Sequence, residues 1–288
     1  MAAISASAVK DLREKTGVGM MEAKKALEEA DGDLEKAVDI LRKKGLSTAA
    51  KKAGRVASEG IIASSVSGNA GVIIEVNSET DFVAKNEEFQ QFAKGLADVV
   101  REKKPADVAA LSVLMINNET VEAKRQVLVQ KIGENLSIRR FERYETDGKL
   151  ALYLHGTRIG VMADFTGGDD QLGKDLAMHI AAASPLYLSR ETVPTEVIER
   201  ERAIYEAQAK ETGKPAAVLG KIADGKMEKF FGDNCLLEQI YIKDPAGKLK
   251  VKNILKGATV RRFVRYQLGE GIEKKKECFA EEVAAQLK

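Results

Sequence analysis

A seven-residue pattern occurs twice in this chain, as IRRFERY at 138–144 and VRRFVRY at 260–266. Ahead of the two copies, GNAGVIIEVN (68–77) is answered by GTRIGVMADFT (156–166). A repeat of this kind means that one supersecondary unit is built twice. Each unit reads as strand, strand, helix, further helical material and a closing RRFxRY strand. In the second closing strand, alternation places Val260, Val264, Tyr266 and Leu268 on one face and Arg261 and Arg265 on the other. The long helices carry apolar stripes: Phe89, Phe92, Ala93, Leu96 and Val100 in the first unit, Leu172, Leu176, Ile180 and Ala183 in the second. The expected fold is α+β, with two repeated subdomains of antiparallel sheet and helices on one side of each.

Before the repeat, three short helices are expected. Ser7 can cap a helix carrying Val9 and Leu12, and Thr16-Gly17-Val18-Gly19 breaks it. Ala23, Ala26, Leu27 and Ala30 then form one helical face. Asp33 is placed to cap a third helix bearing Leu34, Ala37, Val38 and Leu41, which Gly45 should end. With Gly17, Gly19, Ala26-Leu27, Gly32-Asp33 and Ala37-Val38, the segment resembles the ubiquitin-associated (UBA-like) bundle. Residues 46–60, with Lys51, Lys52 and Arg55, read as a solvated linker. Met20-Met21 reads as core and bundle edge.

Late in the chain, residues 194–232 read as helix, Thr-Gly-Lys-Pro turn and helix, a hairpin rich in charge and poor in large apolar residues. Such a hairpin buries itself poorly and is suited to touch another chain, a second copy or a different protein. A terminal helix would line up Phe279, Val283 and Leu287. The expected organisation is a UBA-like domain at 1–54, subdomain N at 55–148, subdomain C at 149–270 with the hairpin inserted at about 192–232, and a helical module at 271–288.

Charge and motifs narrow the function. The 46 basic and 44 acidic side chains leave a formal net charge of +2, without the one-signed field of a dedicated nucleic-acid binder. The first residues lack the basic and apolar regions of a secretory leader, and no apolar run approaches the ~20 residues of a membrane span. Cys235 and Cys278 lie far apart, as in a reduced cytoplasmic protein. His155 and His179 have no HExxH or CxxC company, so neither a metal site nor a cofactor is expected. No nucleophile elbow, P-loop or dinucleotide fingerprint is present, and no catalytic residue is assigned.

One stretch looks like a tool. After the strand VIIEVN comes SETDFVAKN, which sets Asp81-Phe82 at a strand-to-helix turn. The plain reading has Thr80 or Ser78 capping the helix, Asp81 favouring its dipole and Phe82 entering the core. The second unit argues against it, because its turn, TGGDDQLGKD, has Asp169-Asp170 and no aromatic. A Phe that the shared core does not need is a candidate wedge.

Over essentially its whole length the chain resembles the bacterial elongation factor Ts family. The resemblance is carried by VKDLREKTGVGMMEAKKALEEADGD, SETDFVAKNEEF, KIGENLSIRR, HGTRIGV, AMHIAAASP and GEGIEK. It implies a guanine-nucleotide exchange factor of protein biosynthesis that binds elongation factor Tu with GDP, dislodges its magnesium and frees the site for GTP, without bond chemistry of its own. It also implies that the UBA-like domain and the paired subdomains grip the GTPase, and that Thr80, Asp81, Phe82 and Val83 push in near its nucleotide. The competing reading is an RNA-associated or adaptor protein using the bundle and the arginines at Arg139-Arg140 and Arg261-Arg262. Near-neutral charge and the lack of an aromatic stacking platform weigh against it.

Overall fold

A computed structural model describes residues 4–211 and 215–273. Three helices come first: α1 (Ala6–Thr16), α2 (Met20–Glu29) and α3 (Leu34–Lys52). They close over a small core that includes Leu12, Ala23, Ala26, Leu27 and Leu41. Asp33 caps α3 by accepting from the backbone N–H groups of Glu35 and Lys36. The cap of α1 is Ser5, which accepts from Ala8 N–H, and not Ser7. Met20 and Met21 follow the N-cap Gly19 and face solvent, so they are not core.

Gly45 does not stop α3. The helix runs seven residues past it, and a Cβ there would lie 2.8 Å from Gln130 Oε1, on helix α7 described below. The glycine lies inside α3, where the helix passes the side chain of Gln130, and does not terminate it. Beyond it, Ala49 is buried in the core of the first repeat. Half of the expected linker is therefore docked helix.

The first repeat runs β1 (Glu59–Ser67), β2 (Ala70–Ser78), α4 (Asp81–Ala84), α5 (Glu87–Lys103), α6 (Val108–Ser112), β3 (Met115–Ile116), β4 (Glu119–Thr120), α7 (Val121–Ile132) and β5 (Ser137–Glu145). The second runs β6 (Lys149–His155), β7 (Ile159–Thr166), α8 (Asp170–Ala183), α9 (Thr195–Glu211), α10 (Ala216–Asn234), α11 (Val251–Ile254) and β8 (Thr259–Gln267). Each forms an antiparallel three-stranded sheet, β1-β2-β5 and β6-β7-β8, with the RRFxRY strand at one edge. One face of each sheet takes its long helix: Phe89, Leu96 and Val100 of α5 in one core, Leu176 and Ile180 of α8 in the other. The opposite faces meet each other through Ile62, Ile73, Tyr144, Met162, Tyr266 and Leu268. The protein is thus mixed α+β, with two sheets back to back between outer helices.

Both RRFxRY strands bulge at the first arginine. Glu75 pairs with Arg140 and Val76 with Ile138, which leaves Arg139 as the extra residue. Asp164 pairs with Arg262 and Phe165 with Val260, which leaves Arg261 extra. A bulge reverses the alternation on one side of it. Val260 consequently packs with the helix-side core, while Val264, Tyr266 and Leu268 face the other sheet. The single shared face expected from simple alternation does not exist.

The second arginines lock the two repeats together. Arg140 lies 4.2 Å over the ring of Tyr266, and Arg262 lies 4.1 Å over the ring of Tyr144. Each also holds a buried carboxylate of its own sheet: Arg140 reaches Glu75 at 2.7 Å, and Arg262 reaches Asp164 at 3.0 Å.

Helices α9 and α10 form the antiparallel hairpin. Arg202 bridges to Asp224 at 3.1 Å and Lys226 to Gln208 at 2.6 Å, while Ile204 and Val218 remain exposed. The middle of the turn (212–214), Cys278 and the expected terminal helix with Phe279, Val283 and Leu287 lie outside the described residues.

Candidate functional site

Strand β2 is buried along its whole length, so its end is a rigid point from which to hold a loop. The chain leaves it at Ser78, crosses Glu79 and Thr80, and enters the one-turn helix α4. Four residues make too short a helix to stand alone. Val83 roots it, being only 6% exposed and part of the first repeat's core. Its neighbour Phe82 is 77% exposed. Lys85 Nζ sits 5.7 Å from the Phe82 ring centroid and 3.4 Å from Asp81 Oδ2, so a charged pair flanks the bare ring.

The plain reading of this stretch fails on two points. Phe82 is not core, and Thr80 makes no capping hydrogen bond to α4. Thr80 Oγ1 donates instead to Glu134 Oε1 at 2.6 Å, and Ser78 Oγ donates to Thr80 O at 2.9 Å. The turn of the second repeat differs throughout. Gly167 and Gly168 take positive φ, and Asp169 caps α8 directly by accepting from Leu172 N–H at 2.8 Å. No projecting aromatic occurs there. The four motif residues thus divide into two that anchor, Thr80 and Val83, and two that project, Asp81 and Phe82.

The histidines separate in the same way. His155 is exposed, with Nδ1 3.1 Å from Tyr153 Oη. His179 is fully buried; its Nδ1 accepts from Ile242 N–H at 3.2 Å, so Nε2 carries the proton and donates to Gln239 Oε1 at 3.0 Å. Burial lowers its pKa below the ordinary 6.5, against the opposing pull of Gln239. The unfolded chain then takes up a proton first as the pH falls, so this contribution to stability is whole above pH 6.5 and is lost below it. Urea midpoints at pH 5 and pH 7 are expected to differ by more in the parent than in His179→Gln; equal differences would remove His179 as the cause.

Among the described residues, no group of three or more His, Cys, Asp or Glu side chains is placed to hold a metal ion. Among them, too, no helix is long and apolar enough to cross a membrane. The arginines that could have met phosphates are already engaged. Arg139 and Arg140 hold Glu75, Arg262 holds Asp164, and Arg261 pairs with Asp147. This counts against the RNA reading.

A second exposed apolar group was not foreseen as one. Ile240, Ile242 and Leu249 stand out from a short turn in which Tyr241 N–H donates to Leu249 O at 2.8 Å and Asp244 accepts from Lys248 and Leu249 N–H, each at 2.6 Å. The alternation of Ile240-Tyr241-Ile242 was the available signal, since Tyr241 points inward and both isoleucines outward.

Comparison with known proteins agrees over the whole length. The family model described as Elongation factor TS matches residues 79–270. Elongation factor Ts of Burkholderia multivorans is 53% identical over 289 residues, covering 100% of this chain and 98% of that protein. Elongation factor Ts of Paraburkholderia xenovorans is 53% identical with the same coverage. That of Alkalilimnicola ehrlichii is 53% identical over 291 residues, covering 99% of each.

Proposed function

This chain belongs to the elongation factor Ts family, and from that premise we propose that it binds elongation factor Tu carrying GDP and drives the nucleotide off. The observation that carries the mechanism is an exposed Phe82 on a buried root at Val83. A GTPase holds GDP through backbone amides, a lysine and Mg²⁺. An aromatic pushed beneath those elements displaces them and costs the metal its ligands. In this reading Phe82 supplies the volume, Asp81 a charge and hydrogen bonds, and Thr80 and Val83 the footing.

Linkage sets the thermodynamics. A factor that prefers the nucleotide-free partner weakens nucleotide binding by the same ratio. A thousandfold faster release requires a barrier lower by roughly 4 kcal/mol. Burial of one Phe contributes about 2–3 kcal/mol, so other contacts must supply the rest. The exposed Met20 and Met21 of the N-terminal bundle suit a grip on the nucleotide-binding domain. The turn bearing Ile240 and Ile242 suits a hold on a second domain, and the α9–α10 hairpin a contact with another chain. Such a factor works in the cytoplasm beside its GTPase and makes or breaks no covalent bond.

The direct test is release of a fluorescent GDP analogue from the same organism's elongation factor Tu. Acceleration by orders of magnitude at sub-stoichiometric factor is expected. No acceleration of an active partner would sink the reading.

A further inference from the structure

We propose that Glu134 is a positioning residue for exchange, holding the turn from which Phe82 projects. The role rests on the exchange reading above, although the hold itself does not. Glu134 Oε2 accepts the backbone N–H groups of Glu79 at 3.0 Å and Thr80 at 2.9 Å, while Oε1 accepts the Thr80 hydroxyl at 2.6 Å. Three donors of one turn are thus taken by a single side chain more than fifty residues away in sequence. The grip is returned, since Glu79 Oε1 accepts Asn135 N–H at 2.6 Å. Each loop clamps the backbone of the other through a glutamate.

The clamp also reaches the N-terminal bundle. Asn135 Nδ2 donates to Arg55 O at 2.8 Å, just past the end of α3, and Lys52 Nζ donates to Gly133 O. The knot that fixes the turn is therefore tied to the helix that carries the bundle.

Two observations point to function rather than to ordinary loop closure. A one-turn helix cannot fix its own direction, so Phe82 depends on Val83 below it and on Glu134 behind it. The second repeat, which lacks the aromatic, also lacks the clamp. In the register that sets Ile138 against Val260, Glu134 corresponds to Lys256; in the register that sets Glu75 against Asp164, Glu79 and Thr80 correspond to Gly168 and Asp169. Acid clamp and projecting Phe occur together in one copy and are absent together from the other. A wedge held in advance spends none of its insertion energy on ordering itself.

The experiment uses the full chain with elongation factor Tu and a fluorescent GDP analogue. Glu134→Gln is expected to lower the saturating release rate about tenfold, the loss that goes with one charge-assisted hydrogen bond, while the half-saturating concentration stays within about twofold. In a Phe82→Ala background the same change should add almost nothing, because it acts through Phe82. Thr80→Val, which removes only the hydroxyl, should give a smaller fall in the same direction and serves if Glu134→Gln folds poorly. Amide hydrogen exchange at Glu79 and Thr80 should quicken about tenfold in Glu134→Gln. Losses that multiply in the double variant, or amides that exchange as in the parent, overturn the proposal. If the parent protein itself fails to accelerate release, the exchange reading falls, and the amide measurement still decides whether Glu134 holds the turn.

Discussion

Phe82→Ala is expected to slow catalysed GDP release roughly 30- to 150-fold at saturating factor, the rate equivalent of the about 2–3 kcal/mol that burial of a Phe side chain contributes. Stability should barely change. At 77% exposed the ring fills no space in the folded factor, so its removal opens no cavity. Affinity for the nucleotide-free GTPase should fall less than the rate, because the bundle and the two repeats remain as grips. Stopped-flow release over a range of factor concentrations separates the two effects. Equal losses in rate and affinity would reduce Phe82 to one more contact and remove the wedge.

Glu75→Ala is expected to have the largest effect on stability. Glu75 is completely buried on the central strand of the first sheet. Its carboxylate accepts from Arg139 at 2.9 Å, Arg140 at 2.7 Å, Asn77 at 3.2 Å and the Gly269 N–H at 2.8 Å. Loss of one partner from a buried pair costs about 3–5 kcal/mol. The two arginine side chains remain 25% and 31% exposed and recover some hydration, so the lower figure applies. A fall of about 3 kcal/mol lowers the melting temperature by roughly 5–10 °C in a chain of this size.

The loss should depend on pH. Burial alone would raise the pKa of Glu75, but Gly269 N–H, Arg139 and Arg140 together outweigh it and hold the value below the ordinary 4.5. The stabilisation is therefore whole above pH 4.5 and disappears as the pH falls through the lowered value. The gap between parent and variant should narrow in acid. Urea midpoints at pH 7 and pH 3.5 measure it, and a gap independent of pH would mean that packing, not charge, is what Glu75 supplies.

Much of this was legible in the sequence where a pattern had one physical meaning. The stripes at Phe89, Phe92, Leu96 and Val100 and at Leu176 and Ile180 could only be helix faces, and they line the two cores. Asp33 had a helix to cap and caps it. Phe82 stood out because one repeat has it and the other does not, a comparison that needs no coordinates. Gly45 reads as a stop because a glycine near the end of a periodic run commonly ends a helix, and only the continuation of α3 to Lys52 decides against it. Simple alternation puts Val260 on the wrong face because a bulge adds one residue without marking the composition. Glu134 could not be found at all, since its donors lie far off in the chain and nothing local distinguishes it from any surface glutamate.

The crossed stacking of Arg140 on Tyr266 and Arg262 on Tyr144 gives the joint between the repeats the symmetry of a two-fold interface. A contact in which each half offers the other the same pair of groups is the rule of a two-fold dimer. The two repeats meet as two identical subunits would, by a patch that is its own complement. The asymmetry on which the proposed activity depends, Phe82 and the turn that holds it, is thus carried on a joint that is itself symmetric.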